Sequence, residues 1–451
     1  MAKIKRIAIR GIRKSAHISN KVLHKTLHLT TRVENKATRL IDGTDFSVKM
    51  HDVAPLEKIY YNSLNYITPI NPALPVVGQK ASVVLLLPTL DGKSFYGGTA
   101  TALVVAAKAA MALDRPLRIV QTLKTGEAKE LSKFFAREGV SFSDDRITVM
   151  SVADRAYNVY GYLPMHPDDL FMASAWWDAY LINQLPLTRK FIYLVQDFEP
   201  IFYNNSDMYV LAESTYKMDS YVPLCNTQLM YDFMRKRKYG AFMSDDAGFF
   251  EPAVSRLASG AVAAKKKGQK KRLFLYGRPD VHRNLFFSAL NAIDFSLKAG
   301  FLKADEWELY MAGQDSLPDV KLSAGAVISN KGKMTMEDYV AFSKTIDLAV
   351  SPMMAPHPNY PTLEFSSIGT KVVTTRYANK TDLSAYSRDI FMADIDAESM
   401  AGAINAAVQA IATGVSPDPK SIIPKSWDAS LEKPLSKALR AVAASSGAVL
   451  R

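Results

Sequence analysis

Cysteine is nearly absent. A single residue, Cys225, stands in 451, so no internal disulfide framework can form and the chain fits a reducing compartment. No run approaches the roughly 18 consecutive apolar residues of a membrane span. The basic N-terminus lacks the continuous apolar stretch of a secretory signal. No second His, Cys or Asp lies at metal-ligand spacing from His357, and a metal site is not expected. Asp394-Ile395-Asp396 has the spelling of a divalent-ion motif, but it directly precedes a helical run, where Asp396 reads as a cap. No GxGxxG fingerprint and no internal repeat occur, and only the Ala/Ser-rich tail is of low complexity. These absences predict a cytoplasmic protein without a bound cofactor.

The rest is ordinary globular composition, 48% hydrophobic and 22% charged. At this length two domains are the natural expectation. The formal charge of +12 is concentrated at one end. Residues 1–50 hold twelve Lys or Arg against three Asp or Glu, a net +9, and the remaining 401 residues are near neutral. Such an arm is either attracted to anionic lipid headgroups, at about 1 kcal/mol per basic residue near the surface, or is a solvated extension. It has no aromatic residue before Phe46 to stack on bases, which argues against nucleic acid.

Residues 51–80 read as an irregular lead-in with Pro55, Pro69, Pro72 and Pro75. Ser82 to Leu87 is a continuous apolar run, as expected of a strand buried on both faces. A helix over 99–113, a strand at 117–120, a helix over 129–138 and strands at 147–150 and 191–195 follow. The small, charged stretch 261–272 marks a junction. Beyond it a second series begins, with strands at 273–276, 307–311, 347–351 and 371–374 between helices at 285–299, 336–345 and 364–368. Helices at 398–412 and 428–445 close the chain. Alternating strands and helices imply parallel α/β domains. The division is a basic extension (1–50), two Rossmann-like domains (51–265 and 270–430) facing a cleft, and a C-terminal helix (431–451).

Arg278 and Arg283 flank the turn Gly277–Asn284 at the carboxyl end of a strand, where open α/β sheets bind ligands. The helix start beside them offers free N–H groups and partial positive charge. Two guanidiniums there suit a diphosphate; the alternative is a pair of surface ion-pair partners. Lys333, before a helix capped by Thr335, neutralises a phosphate or faces water. Gly97 and Gly98 precede a helix and permit close approach of a ligand. Glu364, read at the opening of a helix after Pro361, accepts from sugar hydroxyls or favours the helix dipole. His357 is a donor to phosphate or a solvated loop residue. Gln196, Asp197 and Glu199 end a strand and orient an acceptor, act as acid or base, or make structural hydrogen bonds. Trp176-Trp177 reads as core, with a sugar platform as the alternative.

The second half resembles the donor-binding domain of retaining GT-B glycosyltransferases of family four. Residues 75–430 resemble more closely the WsaF-type rhamnosyltransferases. The resemblance rests on Val195–Pro200, Leu211–Tyr216, Tyr276–Pro279 and Pro356–Glu364. Arg278 matches the family's usual Arg, Arg283 stands where a Lys is usual, Glu364 matches the second of two glutamates, and Pro356 replaces the first. The resemblance implies a GT-B fold and transfer of L-rhamnose, with retention and without a metal, from dTDP-β-L-rhamnose to a glycan or lipid-linked glycan at the inner face of the plasma membrane. Arg278, Arg283, Lys333, His357, Tyr360, Glu364, Gly97 and Gly98 would bind the donor, and Gln196, Asp197 and Glu199 the acceptor. Arg278, Lys333 and Asp197 would serve catalysis, the cations Arg278, Arg283 and Lys333 by stabilising the leaving diphosphate and Asp197 beside the acceptor. A GT-B epimerase and a non-catalytic scaffold are the alternatives.

Overall fold

The computed structural model describes residues 65–70, 73–90, 97–127, 131–155, 162–254, 269–323, 325–413 and 421–445. The expected basic extension, most of the lead-in and most of the junction at 261–272 lie outside them. Everything described belongs to one compact unit, Leu64–Arg451.

Among the described residues the first half contains nine strands: β1 (Ala73–Pro75), β2 (Val83–Leu87), β3 (Leu117–Gln121), β4 (Ile147–Ser151), β5 (Leu163–Met165), β6 (Leu170–Ala173), β7 (Phe191–Val195), β8 (Tyr221–Asn226) and β9 (Gly248–Phe250). β1 pairs with β5 apart from the rest. The others form a seven-stranded sheet in the order β4-β3-β2-β6-β7-β8-β9, parallel throughout. β2 is wholly buried, as a central parallel strand covered on both faces must be. One face is covered by helices α1 (Gly97–Ala112) and α2 (Leu131–Arg137). The other is covered by α3 (Trp176–Ile182), α5 (Gln228–Lys236) and α6 (Gly240–Met243), with α4 (Asp207–Thr215) beside α3. The chain reverses direction between β2 and β6.

The second half repeats the plan. Strands β10 (Lys271–Tyr276), β11 (Trp307–Ala312), β12 (Val320–Lys321), β13 (Val327–Asn330), β14 (Leu348–Val350), β15 (Lys371–Thr375) and β16 (Ile390–Ala393) take the order β12-β13-β11-β10-β14-β15-β16. The short β12 alone is antiparallel. Helices α7 (Phe286–Lys298) and α10 (Ala397–Thr413) cover one face. α8 (Met336–Ser343) and α9 (Tyr360–Ser367) cover the other. The reversal falls between β10 and β14. The protein is thus α/β with two Rossmann-like sheets, the architecture called GT-B.

The last helix, α11 (Trp427–Ala444), leaves the second sheet and packs on the first. Trp427, Leu431, Leu435, Ala438, Ala441 and Val442 join the core built on β2 and α1. The indole N–H of Trp427 donates to the buried Glu138 at 3.1 Å.

Two local readings need correction, and a third holds. The helix placed at 364–368 begins at Tyr360, with Asn359 as its cap accepting from the Thr362 amide at 3.0 Å. Glu364 therefore lies a full turn inside the helix, beyond the reach of its dipole end. β6 and β8 were not anticipated, being four residues beside Trp176 and a strand carrying Pro223. Asp396 does cap α10, accepting from the Ser399 amide at 2.7 Å.

Candidate active site

Both reversal points lie at carboxyl ends of strands, the edges where open α/β sheets bind ligands. The loops after β10 and β14 carry residues that reach across to the first sheet. Asp197, just beyond β7, is 5% exposed. Its carboxylate lies 3.0 Å from Arg283 Nε and 3.3 Å from His357 Nε2, both from the second sheet. The Phe198 amide donates to it at 2.8 Å. Burial pushes the Asp197 pKa up, but His357, Arg283 and these hydrogen bonds outweigh burial and hold it below the usual carboxylate value. The Arg283 guanidinium also sits 4.1 Å above the Phe202 ring.

A second crossing is made by Tyr360. Its hydroxyl shares a hydrogen bond with Thr101 in the first turns of α1, and accepts from Asn226 Nδ2 at 3.1 Å. Gly97 lies beneath the ring, where an added Cβ would stand 3.8 Å from Tyr360 Cδ2. Gln196 Nε2 donates to the Gly98 carbonyl at 3.0 Å. The carbonyl oxygens of the Gln196 and Asn226 side chains are buried without a partner. Seven of the expected residues are therefore gathered in one place: Gly97, Gly98, Gln196, Asp197, Arg283, His357 and Tyr360.

Arg278 and Lys333 occupy a neighbouring rim, and both are exposed. Their loops are joined by backbone hydrogen bonds, Gly277 N to Ala312 O at 2.9 Å and Gly313 N to Gly332 O at 3.0 Å. Gly313, at φ +133°, leaves room for the arginine stem; a Cβ there would come within 2.8 Å of Arg278 Cγ. Asp315 accepts from the Lys333 amide at 2.6 Å and fixes that turn. Arg278 Nη1 donates to the Tyr276 hydroxyl at 3.3 Å. Glu364, 4% exposed, accepts from the Tyr339 hydroxyl at 2.8 Å. Tyr339, Asp315 and Asn226 were not singled out from sequence.

Glu199 is tied into the first half. It is buried and accepts from the Trp176 amide. Burial raises its pKa well above the ordinary value, against the pull of that amide. Trp176 is core, fully buried and stacked edge-on against Trp177 and Tyr203. Asp178 is also fully buried, accepting from Thr122 and Ser174 hydroxyls at 2.9 Å each. Among the described residues no group of three or more His, Cys, Asp or Glu is placed to hold a metal ion, and no helix is long and apolar enough to cross a membrane.

Residues 82–228 match the family described as WsaF, N-terminal domain, and residues 271–405 the one described as WsaF, C-terminal domain. Over 206 residues, 46% of this chain, the sequence is 31% identical to the O-antigen biosynthesis protein RfbC of Myxococcus xanthus; the match spans 15% of that protein's length. Among solved structures the fold resembles sucrose-phosphate synthase from Thermosynechococcus elongatus, with a TM-score of 0.51 at 10% identity over 80% of this chain and 94% of that one. It also resembles Anabaena HepE in complex with UDP-glucose, with a TM-score of 0.51 at 9% identity over 81% of this chain and 100% of that one.

Proposed function

Because this chain belongs to the WsaF family of GT-B glycosyltransferases, we propose that it transfers a sugar, L-rhamnose, from a nucleoside diphosphate to a growing cell-surface polysaccharide. The observation that carries the proposal is the pair of facing strand edges. On the second sheet, Arg278 and Lys333 stand exposed on hydrogen-bonded loops, ready for an anionic ligand. On the first, Gln196 and Asp197 border the same cleft.

The diphosphate of the donor would lie against Arg278 and Lys333, with Gly97 and Gly98 allowing close backbone approach. As the glycosidic bond to phosphate breaks, negative charge grows on the leaving diphosphate. Fixed cations stabilise that charge without the cost of reorienting water. Arg283 and His357 hold Asp197 ionised at the boundary with the acceptor. Glu364, which accepts from the Tyr339 hydroxyl, would receive sugar or ribose hydroxyls. The reaction would proceed without a metal and with retention, using dTDP-L-rhamnose. Contact with the inner membrane face would come through residues 1–50.

The test is a binding screen of dTDP, UDP and GDP, alone and as sugar conjugates. We expect dTDP and dTDP-L-rhamnose to bind and Arg278→Ala to weaken binding by about ten- to a hundredfold, the size of a lost charge-assisted pair. Failure of all three nucleotides to bind would sink the reading. Turnover of the donor without any acceptor would favour an epimerase instead.

A further inference from the structure

Lys380 is fully buried, which is rare for a lysine unless its charge is used. It is delivered inward by a tight turn. Tyr377 and Lys380 exchange backbone hydrogen bonds, and Ala378 between them takes the left-handed conformation at φ +51°. A non-glycine residue held there signals a backbone that its surroundings constrain. The ammonium's acceptor is a backbone carbonyl, Met353 O at 2.9 Å, and not a carboxylate.

Met353 lies in the loop between β14 and α9 that carries His357. Thr375 ties the same residue from β15, accepting from the Met353 amide at 2.9 Å and donating to its carbonyl at 3.1 Å. The next amide, Met354 N, donates to Arg283 O at 2.7 Å. A continuous path of hydrogen bonds thus runs from Lys380 through Met353 and Met354 to the backbone of Arg283. Both residues that grip Asp197 hang from that path.

Building on the donor-site reading above, we infer that Lys380 is a positioning residue. It sets the His357 loop against the Arg283 loop, and its buried amine supplies positive charge when a diphosphate arrives. The charged groups around it are Asp197, then His357 and Arg283 through Asp197, with Tyr377 also coupled to Asp197. Burial lowers the Lys380 pKa to about 7, against an upward pull from Asp197. A diphosphate bound beside the Asp197 cluster adds negative charge that opposes burial as Asp197 does, so binding slightly above neutral pH takes up a proton at Nζ.

The experiment is calorimetric titration of the full chain with dTDP, slightly above neutral pH, in two buffers of different ionisation enthalpy. Lys380→Met should raise the dTDP Kd roughly tenfold and remove the proton uptake of the wild type. Thr375→Val, which cuts the other tie to Met353, should weaken binding and leave the uptake in place. A purely structural lysine would not move the proton count. Unchanged Kd and uptake in Lys380→Met overturn the inference, as does unchanged Kd in Thr375→Val should Lys380→Met fail to fold. A wild type that binds no nucleotide defeats the donor reading itself; normal binding with an unaffected Lys380→Met defeats this inference alone.

Discussion

Asp178 pairs complete burial with a carboxyl whose pKa is pushed up to about 7, burial first, against hydrogen bonds from Ser174 and Thr122 and the nearby Arg155. In the unfolded chain the same group titrates near an ordinary aspartate value, about 3.9. A folded pKa above the unfolded one contributes stability that is full below the unfolded value and is lost as pH rises through about 7. Asp178→Asn lacks that titration. We expect the melting temperature of the variant, relative to wild type, to improve steadily between mildly acidic and neutral pH. Parallel melting profiles across that range would contradict the assignment. Asp197 shows the reverse balance in a similarly buried setting, because Arg283 and His357 face it.

At the scale of elements, the loops that end β10, β11 and β13 form one platform. Gly313 is its tightest point, since a Cβ would meet Arg278 Cγ at 2.8 Å and Gly277 O at 3.0 Å. Gly313→Ala combines that overlap with a backbone conformation unsuited to side chains, a cost of about 1–3 kcal/mol. It should lower the denaturant midpoint and weaken nucleotide binding together, because Arg278 must move. A variant with full stability and full binding would show that the platform tolerates displacement.

What sequence could reveal at this scale follows from how local the signal is. β2 and β7 are continuous apolar runs and were readable, as was the arginine turn after β10. β6 was not, since four apolar residues ahead of a tryptophan pair carry no period. Helix α9 was read as starting late because its cap, Asn359, lies between two prolines whose signals point to a loop. Lys380, in Ala-Asn-Lys-Thr, looks like any solvated lysine, and only the fold around it marks it out. Arg283 and Asp197, 86 positions apart, have no local pattern that announces their pairing.

At the scale of the whole molecule, the two sheets are joined at several points by side chains. Tyr360 reaches Thr101 and Asn226, Tyr386 donates to Glu251 at 2.8 Å, and Asn379 donates to Leu229 O at 2.8 Å. Tyr360→Phe keeps the ring over Gly97 and removes the hydroxyl. With one net hydrogen bond worth about 0.5–1.5 kcal/mol, stability should fall by about 1–2 kcal/mol in urea. Small-angle scattering should show a larger radius of gyration without nucleotide. No change in either measurement would mean that this contact does not hold the halves together.

The return of α11 to the first sheet carries a consequence for biogenesis. The core around β2 and α1 is finished by Trp427 and the residues after it, more than three hundred positions later. During synthesis the first half therefore emerges from the ribosome with the β7–β9 side of that face uncovered, and at roughly 5–20 residues per second it waits for tens of seconds. Over that interval it is a client for chaperones, and premature termination of translation upstream of Trp427 leaves the same apolar face open to aggregation.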